Sequence, residues 1–279
     1  MAGRIRVGIG GWTYEPWRGV FYPSGLPHKR ELEFASRAMT SIEINGTYYS
    51  TFKPESWRRW RDETPDDFVF AVKASRYCTN RKKLADAGPS IERFILQGLT
   101  ELGDKLGPIN WQFMATKKFD ADDFAAFLAL LPKTHDGVAL RHALEVRHPS
   151  FVSDEFYALA SKHRVAIVIA DSDEFPVIDQ ETSDFTYARL MSSEAELGAG
   201  VTPANLRRIA KLCKGRAERG QVFAYFIAGA KIRNPAAAGA LMQALKILPA
   251  SAPQQSATPR ARRAKAPSGS LGKSPGRSR

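Results

Sequence analysis

The fold is predicted by a pattern that is clearest between Ser41 and Ala74, in the stretch SIEINGTYYSTFKPESWRRWRDETPDDFVFAVKA. Two apolar runs in it, Ser41–Asn45 and Phe68–Ala74, are rich in Ile, Val and Phe, which is typical of buried parallel strands. Trp57 and Trp60 lie between these runs at helical spacing, and this indicates a helix with a buried aromatic face. The stretch therefore predicts one strand–helix–strand unit.

The same alternation runs through most of the chain. The other strand candidates are Ile5–Gly10, Ile109–Phe113, Ala143–Arg147, Val165–Ala170, Phe185–Leu190 and Val222–Ile227. Helical periodicity follows most of them, with apolar faces from Ile91 to Leu102, from Phe124 to Leu131, from Leu206 to Cys213 and from Leu241 to Leu248. Eight strand-then-helix units in about 245 residues match the size of a barrel. We therefore predict an α/β fold, a single (β/α)8 TIM-type barrel.

Local signals refine this prediction. Asp120, Thr202 and Asn234 are candidate capping residues at helix starts. The crossover from Val165 to Phe185 is too short for a full helix, so we expect the helical layer to be thin there. An open doubly wound sheet is the rival architecture, but its dinucleotide fingerprint requires a glycine-rich turn that opens a helix. Here Gly8–Gly11 is followed by aromatic residues, and the fingerprint is rejected.

Composition excludes several classes of protein. The 279 residues are 43% hydrophobic and 25% charged, which is the normal range of globular proteins. No apolar run approaches the roughly 18 residues of a membrane span, and Met1–Ile9 lacks the apolar stretch of a signal peptide. Two isolated cysteines, Cys78 and Cys213, fit a reducing compartment. We expect a cytoplasmic protein with no membrane partner; nothing in the sequence indicates an oligomeric state.

The excess of basic residues is concentrated at the C-terminus. The net charge is +12, and residues 251–279 carry +7 of it, with seven Lys and Arg residues and no acid. This segment is rich in Pro, Ser, Ala and Gly, so we predict a barrel domain over residues 1–250 and a disordered basic tail over residues 251–279. The tail is either an arm that makes non-specific contacts with nucleic-acid phosphates or a solubilising extension.

Polar side chains stand near the carboxyl ends of the predicted strands, where barrel enzymes place their chemistry. The candidate catalytic residues are Glu43, Glu145, His148 and Asp171, and the candidate ligand-binding residues are Trp12, Tyr14, Asn45, Lys73, Arg147 and Arg189. Because charged side chains are rarely buried unless they are paired, their repetition predicts one shared cavity. The alternatives are structural: Glu43 as a core partner of Lys73 or Arg147, Glu145 paired with Arg147, and His148 as a capping residue.

Other site chemistries find little support in the sequence. A P-loop, a G-x-S-x-G elbow and a Cys- or His-rich zinc pattern are all missing. Oxygen ligands for Mg²⁺ are conceivable at the strand-end carboxylates, but the neighbouring Lys and Arg residues are expected to neutralise them. We therefore predict no metal site and no cofactor.

Four stretches of the sequence resemble a known family. They are Gly10–Tyr14 (GGWTY), Ile42–Tyr49 (IEINGTYY), Phe70–Ser75 (FAVKAS) and Leu140–Ser150 (LRHALEVRHPS). Together they are similar to the YecE-like family, also called domain of unknown function 72, over roughly residues 7–240. The resemblance implies a (β/α)8 barrel with the ten candidate residues gathered at its mouth, and it brings no established activity.

The chain departs from the family pattern in three strand-end loops. Phe113-Met114-Ala115 stands where the family has Leu-Pro-Pro, Met191-Ser192 where it has His-Gly, and Ile227-Ala228-Gly229 where it has an Asn-Asn-Asp-like turn. A member with altered or lost catalysis is therefore an open alternative.

The functional hypothesis follows from the charged residues. We expect an enzyme of isomerase or hydrolase type that acts on a small anionic ligand, phosphorylated or nucleotide-like. Lys73, Arg147 and Arg189 would hold the anion, and Glu43 or Glu145 would transfer protons. One alternative is a non-catalytic protein that binds nucleic acid or a nucleotide through its tail. Another is a scaffold whose interior charges only stabilise the barrel.

Overall fold

The computed structural model describes residues 2–249, so the predicted tail lies outside the described residues. Eleven strands are present among these residues. They are β1 Ile5–Gly10, β2 Ser41–Ile44, β3 Val69–Lys73, β4 Leu106–Gln112, β5 Thr134–His135, β6 Val138–Ala139, β7 His142–Glu145, β8 Ala166–Ile167, β9 Ile169–Asp171, β10 Phe185–Leu190 and β11 Gln221–Phe226. β5 and β6 form a small separate hairpin, and the other nine strands form one parallel sheet.

Eight α-helices lie in the described part of the chain. They are α1 Glu31–Ala38, α2 Pro54–Glu63, α3 Arg76–Thr79, α4 Gly88–Ile95, α5 Ala121–Ala129, α6 Asp154–His163, α7 Pro203–Ala217 and α8 Asn234–Leu245. Capping contacts explain some of their starts. The side chains of Asp120 and Thr202 accept hydrogen bonds from the backbone N–H groups of Asp123 and Asn205, as the sequence predicts.

The sheet closes into a barrel. Its strand order is β8-β7-β4-β3-β2-β1-β11-β10-β9, and its two end strands, β8 and β9, are separated along the chain only by Val168. β8 pairs with β7 and β9 pairs with β10, so the two halves of one interrupted strand join both ends of the sheet. The predicted α/β parallel barrel is confirmed, with the candidate strand Val165–Ala170 divided in two.

Three details differ from the sequence prediction. The helical face from Ile91 to Leu102 is broken, because Gly98 adopts φ +104° and a 3₁₀ segment, Leu99–Lys105, follows it. Asn234 is the first residue of α8 and not its cap. Leu248 lies beyond that helix and is exposed. The thin layer was predicted correctly: residues 172–184, between β9 and β10, contain no helix.

Apolar side chains fill two separate layers. The larger cluster lies between the sheet and the helices and includes Trp57 and Trp60, both buried as predicted. A second cluster, with Tyr187 and Tyr225, fills the interior of the barrel. The interior leaves little room: a Cβ atom on Gly8 would lie 1.8 Å from the carbonyl oxygen of Ser41. Within residues 2–249, no helix combines the length and the apolar character that crossing a bilayer requires.

Candidate functional site

Arg189 lies at the centre of a buried set of charges at the carboxyl end of the barrel. Its Nη1 donates to Glu145 Oε2 at 2.6 Å, and its Nη2 donates to Glu43 Oε1 at 3.1 Å. Both carboxylates are fully buried and the Arg189 side chain is 3% exposed. One guanidinium thus joins side chains from β2, β7 and β10, which are far apart in sequence. The alternative pairing of Glu43 with Lys73 or Arg147 is not what the structure shows.

Further polar groups satisfy the same carboxylates. Arg147 donates through Nε and Nη2 to Glu145 Oε1, at 2.9 and 2.6 Å, so the pairing of these two residues is confirmed. Asn110 Nδ2 lies 3.2 Å from Glu145 Oε2 and 3.4 Å from Glu43 Oε2. The Tyr187 hydroxyl donates to Glu43 Oε2. All four oxygen atoms of the two buried carboxylates thus accept at least one hydrogen bond.

Lys73 completes the group, which we call the charge network: Glu43, Lys73, Glu145, Arg147 and Arg189. The Nζ of Lys73 lies 4.4 Å from the centre of the Tyr48 ring, and the residue is 9% exposed. Lys73 ends β3, and Arg147 lies just beyond the end of β7 with its side chain 20% exposed. These two cations therefore form the outer layer of the charge network, above the buried Glu43, Glu145 and Arg189.

The network shifts the pKa values of its members. Burial raises the pKa of Glu145, but Arg189, Arg147 and Lys73 outweigh that effect and lower it to about 2. Burial and the Arg189 charge lower the pKa of Lys73 to about 8, against the opposing pull of Glu43 and Glu145. Burial and the Glu43 carboxylate raise the pKa of Tyr187 well above its usual value, so this hydroxyl keeps its proton.

Two predicted catalytic residues lie outside the charge network. Asp171 accepts hydrogen bonds from the Ser192 hydroxyl at 2.8 Å and from Arg208 Nη2 at 2.5 Å. His148 caps a short 3₁₀ turn, and its Nδ1 accepts from the backbone N–H of Ser150 at 3.1 Å. Both side chains thus have local partners of their own, and the capping alternative for His148 matches its geometry.

The aromatic candidates pack at the edge of the site. The Trp12 ring lies edge-on to Trp60, with centroids 5.2 Å apart, and faces the layer between the sheet and the helices. The Tyr14 ring is partly buried, and the Nζ of Lys231 lies 4.2 Å from its centre. Asn45, directly after β2, has a buried Oδ1 with no hydrogen-bond partner among the described residues.

Two residues of the site were missed at the sequence level. Asn110 stands two positions before Gln112, and Tyr187 stands two positions before Arg189. In a strand, side chains two apart point to the same face. The sequence therefore contained a usable signal: the residue two positions before a polar residue at a strand end faces the barrel interior as well.

The described residues hold no metal-ligating cluster at the charge network, and no member of the network lines the cavity of about 520 Å³ at Tyr49 and Arg93. Among residues 2–249, no three His, Cys, Asp or Glu side chains are grouped closely enough to hold a metal ion. This cavity is lined by Tyr49, Ser75, Tyr77, Ser90, Arg93 and Phe94, among others. Ser75, one of its lining residues, follows Lys73 by two positions along the chain.

Fold and site together define the class: a nearly closed parallel α/β barrel with a buried charge network at the carboxyl ends of its strands. The family-level comparison is consistent with it. The chain belongs to the family described as "Protein of unknown function DUF72", whose model matches residues 6–263. The resemblance drawn from the four sequence stretches is thereby confirmed.

Individual relatives support the same assignment. The chain is 29% identical over 150 residues to the UPF0759 protein YecE of Escherichia coli (strain K12), and the match covers 53% of this chain and 50% of that protein. It thus spans about half the length of the curated relatives that it matches. A solved DUF72 family protein from Thermotoga maritima MSB8 has a TM-score of 0.69 at 23% identity, covering 87% of this chain and 98% of that one. Another, from Enterococcus faecalis V583, has a TM-score of 0.69 at 15% identity, covering 88% and 98%. At these identities, the two structures show the fold alone.

Proposed function

We propose that the protein is an enzyme of isomerase or hydrolase type that acts on a small anionic ligand at the carboxyl end of the barrel. The observation that carries this proposal is the charge balance of the network. Three cations, Lys73, Arg147 and Arg189, face two carboxylates, Glu43 and Glu145. One positive charge is left without a partner in a largely desolvated place, where an anion stabilises it.

The geometry supports different roles for the three cations. Both η nitrogens of Arg189 are engaged by carboxylates, so this residue positions Glu43 and Glu145. Lys73 and Arg147 lie further out and are partly exposed, so they are the residues that meet the anion. A guanidinium offers paired N–H donors that match a phosphate or carboxylate.

The carboxylates supply the proton chemistry in this proposal. The low pKa of Glu145 keeps it ionised, so it would stabilise positive charge or act as a weak base and would not donate a proton. Asp171 and His148, near the ends of neighbouring strands, remain candidates that would act once a ligand spans the mouth. Trp12, Tyr14 and Asn45 are proposed to border the ligand.

The test is a thermal-shift screen of phosphorylated metabolites, nucleotides and small carboxylates. A ligand at a hundred times its dissociation constant adds about 2.7 kcal/mol to the stability. Arg147→Leu should abolish the shift. Arg141→Leu is the matched control, because Arg141 precedes β7 at the opposite end of the barrel and should leave the shift unchanged. If no anion in the screen stabilises the protein, the proposal is wrong.

A second candidate function concerns residues 251–279, whose seven basic residues and lack of acids favour binding to nucleic-acid phosphates. Under this proposal, a chain truncated at Ala250 should lose salt-sensitive binding to nucleic acid and keep any ligand response of the barrel. Equal binding by the full and truncated chains would contradict it.

A further inference from the structure

Lys73 differs from the other members of the charge network because its amine has no acceptor. Within the described residues, no carboxylate lies within ion-pair distance of its Nζ, and no hydrogen bond from that atom is present. Lys105 is a useful contrast, since it is equally 9% exposed. Its Nζ donates to the carbonyl oxygens of Arg61 and Thr64 at 2.6 and 2.7 Å. Two lysines with the same exposed fraction thus differ in their contacts: the amine of Lys105 has hydrogen-bond acceptors, and the amine of Lys73 has none among the described residues.

The surroundings of Lys73 hold the amine in place without binding its nitrogen. The Thr47 hydroxyl donates to the backbone carbonyl of Lys73 at 2.5 Å, which ties the loop after β2 to the end of β3. The Lys73 ammonium lies over the Tyr48 ring, and Asn80 Nδ2 lies 3.2 Å from the Tyr48 hydroxyl, within hydrogen-bond distance. The side chain is therefore oriented, and no acceptor among the described residues binds its nitrogen.

The charges that face Lys73 come from three other strands and their ends. They are Glu43 of β2, Glu145 and Arg147 at the end of β7, and Arg189 of β10. Burial and Arg189 outweigh the carboxylates and bring the pKa of Lys73 to about 8. At pH 7.5, its neutral fraction is about 200-fold larger than that of an ordinary lysine. Desolvation beside other cations is an established way to make a lysine nucleophilic.

We propose that Lys73 is a carbonyl-reactive amine that forms an imine with a small anionic aldehyde or ketone. The inference rests on the proposed function, because it names the substrate class of the same site. The Nζ lone pair attacks the carbonyl carbon and gives a carbinolamine. The carbinolamine loses its hydroxyl group and one nitrogen proton as water, which leaves a C=N bond. Protonation of the imine restores the charge that the ammonium carried, so the balance with Glu43 and Glu145 is unchanged.

The test is reductive trapping on the full-length protein. Glyoxylate, a small anionic aldehyde, is added at pH 7.5 with cyanoborohydride, which reduces imines to stable secondary amines. Peptide mapping by mass spectrometry then measures the carboxymethyl adduct at each lysine. We expect at least tenfold more adduct at Lys73 than at Lys105. Lys73 labelling should also rise with pH around 8, where an ordinary lysine is still almost fully protonated.

A second arm separates this inference from the proposed function. Acetaldehyde replaces glyoxylate, because it has the carbonyl and lacks the anion. Preference for glyoxylate at Lys73 supports both proposals. Equal trapping of the two aldehydes supports the imine and contradicts anion selectivity. If neither aldehyde labels Lys73 more than Lys105, the imine inference is overturned, and the proposed function then depends on the thermal-shift screen alone.

Discussion

Replacement of Arg189 by leucine tests the electrostatic argument most directly. The substitution removes the one side chain that bonds both Glu43 and Glu145. Removing one partner of a buried ion pair typically costs about 3–5 kcal/mol, because it leaves a charge buried and unpaired. The pKa of Glu145 gives a similar scale: a fall from 4.5 to about 2 corresponds to about 3 kcal/mol of stability at neutral pH. We expect Arg189→Leu to lose about 3–5 kcal/mol at pH 7.

The loss should depend on pH, and its sign can be worked out. In the natural protein, the folded pKa of Glu145 lies below the unfolded value, so its contribution is present above pH 4.5 and declines as the pH falls towards 2. In the variant, Glu145 keeps Arg147 but Glu43 is buried without a cation partner. Burial then raises the pKa of the unpaired carboxylate, and the folded state gains a proton before the unfolded state does. The difference in stability between the two proteins should therefore narrow between pH 7 and pH 4.5.

Urea unfolding followed by tryptophan fluorescence measures both effects. Arg58→Leu is the control, since Arg58 is 40% exposed and pairs with Glu55 and Glu101, and surface pairs contribute about 0–1 kcal/mol. Arg189→Leu combined with Glu43→Gln should be more stable than Arg189→Leu alone, because one orphaned charge is gone. A loss no larger than that of the control, or one that does not vary with pH, would refute the reasoning.

Three further predictions concern other buried or strained groups. Burial lowers the pKa of His142 to about 4, so the stability should fall by about 3 kcal/mol between pH 6.5 and 4, and urea unfolding of His142→Gln should lack this slope. Ala228 has φ +61°, so Ala228→Gly should raise the unfolding free energy by about 0.5–1 kcal/mol in the same assay. Burial raises the pKa of the Cys78 and Cys213 thiols to about 12, so a thiol reagent should label neither in the folded protein and both in urea.

The fold was predictable because the strands of a parallel barrel are buried on both faces, so each strand is visible in the sequence as a short apolar run. Phe185–Leu190 was predicted with the bounds that the structure shows, since both of its faces are covered and the apolar run has clear ends. Breaks within elements were harder to predict. Val168 divides one strand, and Gly98 lies between the end of α4 and the 3₁₀ segment Leu99–Lys105. Each break depends on how neighbouring strands and helices meet. The apolar periodicity of a sequence carries no information about how such elements pack against each other.

The sequence predicts which charged residues converge at the barrel end, but it does not predict which of them form ion pairs with each other. The convergence of Glu43, Lys73, Glu145, Arg147 and Arg189 follows from the rule that strand ends share one face of a barrel. Which cation meets which carboxylate depends on the stagger of the strands. Glu43 lies level with Gly10 and Ala71, whereas Lys73 lies level with Asn110, one inward-facing position further out. The sequence does not show this offset.

The hydrogen bonds within the network show which cation is bound and which has no partner among residues 2–249. Arg189 is long enough to reach both carboxylates from β10, and it saturates the inner oxygens together with Asn110 and Tyr187. Lys73 stands on β3, where no carboxylate of the described residues is within ion-pair distance, and Arg147 binds the remaining oxygen of Glu145. The surplus positive charge of the network therefore lies at its outer members, Lys73 and Arg147. The Nζ of Lys73 is not one of the buried side-chain atoms that lack a partner among the described residues, so solvent reaches this amine. Within the described part of the chain, the network therefore presents its one unpaired cation towards solvent, and both the anion proposal and the imine proposal depend on that placement.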